Sequence, residues 1–390
     1  MENNSFPLSR PFSIFLCLFL SLVILAVPLL LIALPSSDRS DDENRMLATL
    51  PQLSADTLFS GQYTDGLSAY LRDHLPLRTS LLKTKAATEL AALKRENNAV
   101  ILADNFYLVK RFEYTPTQLN TFSQNVATIE RISASLDRHG KPVVFLCAPR
   151  AIDVLQDFCP AYAQEPYSVW LQTDLPKSEA FARLLREKAN AGERVWYRTD
   201  HHWTTLGAYY AYTFLGETLG YIPFPREAFC GETVCEDFLG TSYSAGLFPL
   251  YRPDRILSMR YTDDQHFTCT DVTTGATHIG LYRAEALNTK DKYAYFLGQN
   301  VAHMRIQKNP ERPRPTLLVI KDSYAQSLVP FLARHFDIEM IDLRYYRTDA
   351  TDTVRQILLS DHYAGALILC NADTLTGDVG FTRLNAEKLQ

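Results

Sequence analysis

The sequence has no strong charge bias, no basic patch, no internal repeat and no low-complexity stretch. Its 39 Lys and Arg face 44 Asp and Glu, for a formal net charge of -5. Without a basic stripe there is no footprint for nucleic acid. With 46% hydrophobic and 21% charged residues the composition is that of a folded chain, which excludes disorder as the default. No HExxH spacing is present, so a zincin-type metal helix is excluded. Cysteine is scarce, at seven in 390 residues. Only Cys230 and Cys235 are close neighbours, and no two further ligands lie nearby to complete a zinc site. The pair reads as a small loop disulfide in an oxidising compartment, or as two unpaired thiols. Cys147 and Cys370 sit in apolar runs and read as buried core thiols.

What is present begins with one long apolar run. Residues 12–34 are apolar except Ser13, Ser21 and Pro28. That length crosses a hydrocarbon core of about 30 Å. Arg10 precedes the run, and Asp38, Asp41, Asp42 and Glu43 follow it, which suits an N-in orientation. A cleaved signal peptide is the competing reading. Its apolar region spans only about 7–15 residues and ends in a small-residue site. The run here is longer, and Ala33-Leu34-Pro35 is a poor site, so an uncleaved anchor is the favoured reading. The expected organisation is a cytoplasmic segment at 1–11, a transmembrane anchor at 12–34, a polar linker at 35–60 and an extracytoplasmic α/β domain at 61–390.

Within that domain, short apolar runs alternate with helical patterns. Strands are expected at 143–148, 195–199, 317–320, 338–341 and 364–370, with a strand pair over 98–110. Helices are expected at 117–138, 176–191, 206–219, 324–335 and 353–359. Strands alternating with crossover helices predict a mainly parallel sheet flanked by helices. Residues 221–310 lack helical periodicity and read as an insertion of loops and short strands, with β-like pieces at 255–261 and 293–297.

Two segments carry chemistry. In Tyr197-Arg-Thr-Asp-His-His-Trp-Thr-Thr-Leu-Gly-Ala208, Asp200 and His202 stand two apart on a turn that opens a helix. An Asp beside a His orients the imidazole and stabilises its protonated form, which makes the His a general base. The structural alternative is a satisfied histidine. A metal is the weaker functional alternative, since Asp200, His201 and His202 are neighbours whose side chains are expected to point apart. In Leu317-Leu-Val-Ile-Lys-Asp-Ser-Tyr324 a buried strand runs into Asp322-Ser323 just before a helix. A serine there stands at the carboxyl edge of the sheet, where open α/β folds bind ligands. By itself it reads first as a helix cap, since Ser before a helix is the commonest N-cap. Ser323, His202 and Asp200 together have the roles of nucleophile, base and orienter. The Ser323 N–H is one oxyanion donor, and Gly298-Gln-Asn300 offers others in Gly298 and Asn300.

Thr199-Asp-His-His-Trp203 with Gly207-Ala208, followed by Lys321-Asp-Ser-Tyr324, resembles the DHHW protein family. That family is related to the alginate O-acetylation proteins, whose fold is like that of SGNH hydrolases. Leu71–Arg78, Phe238–Tyr243, Tyr295–Asn300 and Ile341–Tyr345 extend the similarity over about residues 60 to 375. Many SGNH hydrolases have Gly before Asp-Ser; this chain has Lys321, which changes the turn and the local charge.

The resemblance implies an SGNH-like fold and carries Asp200, His202 and Ser323 over as the triad. Tyr324 and Arg344, within the matching stretches, join Gly298 and Asn300 as oxyanion or substrate-binding candidates. It also implies an O-acetyltransferase of a cell-surface or exported polysaccharide, with an acetyl-serine intermediate and no cofactor. The acetyl supplier would be a membrane-bound O-acyltransferase. A surface carbohydrate esterase with the same triad, and a non-catalytic glycan-binding or scaffold protein, are the alternatives.

Overall fold

The longest apolar run of the sequence becomes one continuous helix, Arg10–Ala33, long and apolar enough to cross a membrane. The structure is a computed structural model that describes residues 10–33, 37–163, 175–309 and 311–389. Residues 1–9 of the expected cytoplasmic segment, Leu34 to Ser36 at the anchor–linker junction, Pro310 and Gln390 lie outside the described residues.

The chain divides into two compact units, residues 1–93 and 94–390. In the first, the stretch expected as a plain linker holds a two-residue strand pair, Arg39–Ser40 with Arg45–Met46, and a short helix, Ala55–Phe59. Ser54 caps that helix by accepting the Thr57 N–H at 3.1 Å. Helices Gln62–Asp73 and Arg78–Ala91 follow, separated at Pro76. Arg45 grips Asp73 with two hydrogen bonds of 2.7 and 2.6 Å, which gives this polar segment a fixed path.

The second unit is built on a seven-stranded sheet. Its strands in chain order are β1 (Val143–Ala148), β2 (Thr268–Asp271), β3 (Thr277–Ile279), β4 (His303–Gln307), β5 (Thr316–Lys321), β6 (Asp337–Ile341) and β7 (Tyr363–Asn371). Their spatial order is β3-β2-β4-β6-β5-β7-β1. The pairs β6-β5, β5-β7 and β7-β1 are parallel; β3-β2, β2-β4 and β4-β6 are antiparallel. The expectation of a mainly parallel sheet is corrected to a mixed one. The reason is that residues 221–310 are not a separate insertion: they supply β2, β3 and β4, which extend the sheet antiparallel.

Helices cover both faces of the parallel half. These are α1 (Pro116–Asp137), α2 (Pro176–Asn190), α3 (Thr205–Leu219), α4 (Ala325–Leu332) and α5 (Thr351–Leu358). Thr115 and Gln118 form a reciprocal cap around Pro116, which starts α1 there. Alternation along each strand splits the core in two. Val144, Leu317, Val319, Leu367 and Leu369 face α2, α3 and α4, whereas Cys147, Leu318, Ile320, Ile368 and Cys370 face α1 and α5. Each large apolar side chain buried this way contributes roughly 1.5–3 kcal/mol.

Three local expectations are corrected. Residues 195–199 form no strand; only Trp196 bridges Trp203. The backbone groups of this segment are used elsewhere. The Arg198 and Thr199 N–H groups donate to the buried Asp254 carboxylate at 2.9 and 2.7 Å, and the Arg198 carbonyl accepts from Leu108. Residues 293–297 hold a 3-10 turn, Lys292–Tyr295, rather than a strand. The pair over 98–110 is a three-stranded sheet of Glu96–Asn97, Val100–Leu102 and Leu108–Lys110.

The Cys230–Cys235 disulfide is also corrected, since both thiols are free, as are the other five cysteines. Both stand on one strand, Cys230–Phe238. At about 3.3 Å per residue they are roughly 15 Å apart, beyond the ~7 Å reach of a disulfide.

Candidate functional site

Ser323 follows the end of β5, and the tight turn there is held by Asp322. One Asp322 oxygen accepts the Tyr324 N–H at 3.0 Å and the other accepts the Asn371 N–H, from the end of β7, at 2.6 Å. Asp322 thus locks the turn to the neighbouring strand and leaves Ser323 partly exposed at the carboxyl edge of the sheet. Among the described residues no acceptor takes the Ser323 N–H.

The loop before α3 brings the other two residues. Thr204 starts α3 by accepting the Gly207 N–H, and Asp200 to Trp203 lie immediately before it. His202 Nε2 is 2.8 Å from Ser323 Oγ, and His202 Nδ1 is 2.6 Å from Asp200 Oδ1. A carboxylate only accepts, so Nδ1 carries the proton and Nε2 presents its lone pair to the serine hydroxyl. Asp200 Oδ1 also accepts the His202 N–H at 3.0 Å; Oδ2 accepts the Thr241 N–H at 2.9 Å and lies 3.0 Å from the Thr241 hydroxyl. Burial alone would raise the Asp200 pKa, but the two histidines and these hydrogen bonds outweigh it and hold the carboxyl well below its usual range. Asp200 therefore stays ionised through the neutral range.

His201 does not point away from His202, as adjacent side chains are expected to. The two rings lie 3.8 Å apart, and His201 Nδ1 meets the Thr241 hydroxyl at 2.6 Å. The Thr241 hydroxyl donates on to Asp200, so His201 Nδ1–H donates to Thr241. Partial burial and then the neighbouring His202 push the His201 pKa below the usual imidazole value. Asp200, His201 and His202 offer ligand atoms within 4.8 Å of one another. Both His202 nitrogens, both Asp200 oxygens and His201 Nδ1 are, however, already hydrogen-bonded within the protein.

Several partners of this row carry no sequence signal of their own. Tyr293 stacks on the His202 ring, with centroids 3.9 Å apart and planes 6° from parallel. A directional chain backs it up: Trp203 Nε1–H donates to Ser327 Oγ at 2.9 Å, Ser327 donates to the Tyr293 hydroxyl at 3.0 Å, and that hydroxyl faces the Ser323 carbonyl at 3.4 Å. Gly240 lies directly against Asp200, where a Cβ would sit 2.3 Å from the Asp200 Cβ and Oδ2. Gly240 and Thr241 fall within the Phe238–Tyr243 stretch that the resemblance picks out. Beneath the loop, the Asp254 carboxylate accepts three bonds from Arg198 and Thr199, and burial pushes its pKa up to about 6.

The other candidates have mixed placements. Lys321 is fully buried, 3.2 Å from Asp342, and donates to Asn300 Oδ1 and Gln326 Oε1. Burial lowers its pKa against the pull of Asp342. Because an ammonium only donates, it fixes Asn300 with its oxygen toward Lys321, and the Asn300 amide N–H groups have no acceptor among the described residues. Gly298 has φ +89 and its carbonyl accepts from Gln326 at 2.9 Å, which ties this turn to the start of α4. The donors of Tyr324 are taken: its hydroxyl binds the His201 carbonyl and its N–H binds Asp322. Arg344 is held by both oxygens of Asp342, at 2.9 and 2.7 Å. Cys230 and Cys235 lie on the strand described above, outside this cluster.

The comparisons agree with the fold. The family model described as DHHW protein matches residues 177–341, and the SGNH hydrolase-like domain of acetyltransferase AlgX matches residues 104–236. A probable alginate O-acetylase, AlgJ of Pseudomonas putida, is 24% identical over 42% of this chain. The chain spans 45% of the length of that curated relative. A DHHW family protein from Eubacterium siraeum superposes with a TM-score of 0.52 at 20% identity, over 75% of this chain and 95% of that one. Bacillus cereus PatB1, solved with a sulfonyl adduct, gives 0.55 at 21% identity, over 73% of this chain and all of that one. The resemblance to the DHHW and alginate O-acetylation proteins is thus borne out.

Proposed function

We propose that this relative of the DHHW and alginate O-acetylation proteins is a membrane-anchored O-acetyltransferase acting outside the cytoplasm on a polysaccharide. The observation that carries the reading is the row Asp200–His202–Ser323, with contacts of 2.6 and 2.8 Å. Support for the acetyl group comes from the AlgX-type match and the AlgJ relative. Support for the location comes from the apolar helix Arg10–Ala33, flanked by Arg10 and then by acids.

The reaction has two balanced halves. In the first, His202 Nε2 takes the proton of Ser323 as Oγ attacks the acetyl carbon of a donor ester. The donor alkoxide leaves with that proton, and Ser323 carries the acetyl group. In the second, His202 takes the proton of a sugar hydroxyl, whose oxygen attacks the same carbon. The bond to Oγ breaks and the proton returns to Ser323. Asp200 balances the imidazolium in both halves. The Ser323 N–H, which has no acceptor among the described residues, is the first candidate donor for the oxyanion, and the Asn300 side-chain amide is the second. The acetyl supplier on this reading is a membrane-bound O-acyltransferase.

The test uses the full chain in detergent with p-nitrophenyl acetate. Wild type is expected to release nitrophenol and to show one acetyl mass on the peptide carrying Ser323. Ser323→Ala and His202→Ala are expected to lose roughly 10³-fold or more in kcat. A wild type that neither turns over nor takes up acetyl sinks the reading. Turnover to acetate alone, with every sugar offered, makes the chain an esterase.

A further inference from the structure

The strand Leu108–Lys110 begins beside the Asp200–His202 loop, where the Leu108 N–H donates to the Arg198 carbonyl at 2.7 Å. Further along, the Tyr114 hydroxyl donates to Asp373. Asp373 stands two residues past Asn371, whose N–H binds the Asp322 carboxylate next to Ser323. The segment from Lys110 to Tyr114 therefore runs along the rim from the loop that carries His202 to the loop beside Ser323.

Its side chains form a mixed aromatic and polar ledge. The Phe112 and Tyr114 rings are 11° from parallel with centroids 5.7 Å apart, and both are partly exposed. The Lys110 ammonium lies 4.6 Å from the Phe112 ring centre. Below them the buried Arg150 is gripped by Asp153 at 2.7 and 3.0 Å and donates to the Tyr114 oxygen at 3.0 Å. Arginine cannot accept, so the Tyr114 proton is forced toward Asp373. One Asp373 oxygen is thereby occupied. The other has no partner among the described residues, although Asp373 is only partly exposed. Burial, opposed by Arg150, pushes its carboxyl pKa up to about 7, as befits an acceptor short of donors.

We propose that Phe112, Tyr114 and Asp373 form the acceptor subsite, with a pyranose ring against the aromatic ledge and a ring hydroxyl donated to the open Asp373 oxygen. This rests on the acetyl-transfer reading and adds where the sugar sits. A pyranose has an apolar C–H face and a rim of hydroxyl donors, which match an aromatic surface beside a fixed acceptor. An acetyl group needs neither.

The experiment acetylates the full chain with p-nitrophenyl acetate in the presence of cellotetraose and measures the ratio of acetylated sugar to free acetate. The ratio is internal to each variant, so partial misfolding lowers both products together. Wild type is expected to acetylate the sugar in proportion to its concentration. Asp373→Asn and Phe112→Ala are each expected to lower the ratio at least tenfold, and Phe112→Trp to restore it; the Phe112 pair carries the test if Asp373→Asn does not fold. An unchanged ratio, or a wild type that acquires acetyl on Ser323 but never passes it to cellotetraose, overturns the subsite and leaves the acetyl-enzyme standing. A wild type that never acquires acetyl on Ser323 takes both down.

Discussion

Tyr293 and His202 lie ring on ring, 3.9 Å apart and within 6° of parallel. The stack is worth about 0.5–1.5 kcal/mol and restrains the imidazole about the axis that the Asp200 bond leaves free. Tyr293→Ala is therefore expected to lower kcat roughly two- to tenfold. Tyr293→Phe, which keeps the stack and drops only the bonds to Ser327 and Ser323, is expected to keep most of it. A Phe variant as poor as the Ala variant would move the effect from the ring to the hydroxyl.

Gly240 is needed for space. Its φ of -91 is open to any residue, but an added Cβ would stand 2.3 Å from Asp200. Gly240→Ala is expected to displace Asp200 and lower kcat on the order of 10²-fold, with about 1–3 kcal/mol lost from stability. Steady-state kinetics beside a urea melt separates the two effects. A variant with full activity would show that the loop gives way freely.

Asp254 sets a pH dependence of stability. Its pKa rises from 3.8 to about 6 on folding, because burial outweighs the bonds from Arg198 and Thr199. Between those values the folded chain holds the extra proton, so this group makes stability rise as pH falls from 7 towards 4. The size is on the order of 3 kcal/mol. Asp264, raised by burial to about 6, acts with the same sign. Urea melts at pH 7 and pH 5 are expected to show wild type gaining on Asp254→Asn at the lower pH. Parallel curves would remove Asp254 as the source.

Lys321 and Asp342 form a fully buried pair at 3.2 Å. Removing one member leaves the other charge poorly matched, at about 3–5 kcal/mol. Arg344 still binds Asp342, so Lys321→Met is expected near the low end of that range. The double variant Lys321→Met/Asp342→Asn is expected to recover at least about 1 kcal/mol in a denaturant melt. No recovery would mean that the two charges are not coupled.

The proposed anchor makes a prediction of its own. The full chain is expected to stay with membranes after an alkaline carbonate wash, and protease added to spheroplasts is expected to digest its body. Release by the wash would favour cleavage of the apolar segment.

The parallel half of the sheet was legible because β1, β5 and β7 are nearly continuous apolar runs and β6 keeps Ile338, Met340 and Ile341, each beside a helical period. The antiparallel half was not. In β4, His303 and Arg305 interrupt the apolar pattern, and what makes them acceptable is Glu339 on β6, 2.5 Å from each. Such a partner is invisible until the strands are paired. The same holds at the site. Asp200, His202 and Ser323 stand in recognisable motifs, and the structure brings them together. Tyr293, Gly240 and Asp254 act only through distant contacts, and two adjacent histidines faced one carboxylate because Thr241 reached in from 40 residues away.

The order of the strands has a consequence for export. β1 stands at one end of the sheet, its one strand neighbour among the described residues is β7, and Asn371 reaches back 223 residues to bond Ala148. On the proposed topology the N-terminus stays inside and the chain emerges from its anchor onward, so β1 must stay unpaired until nearly all of the chain has crossed. Pairing over such a span is slow. The Ser323 turn, tied to β7 through Asn371, is completed in that same last step. If Ser323 is the nucleophile of an exported domain, as proposed, it is armed only when translocation is almost finished, and an arrested or truncated chain is expected to emerge without a working site.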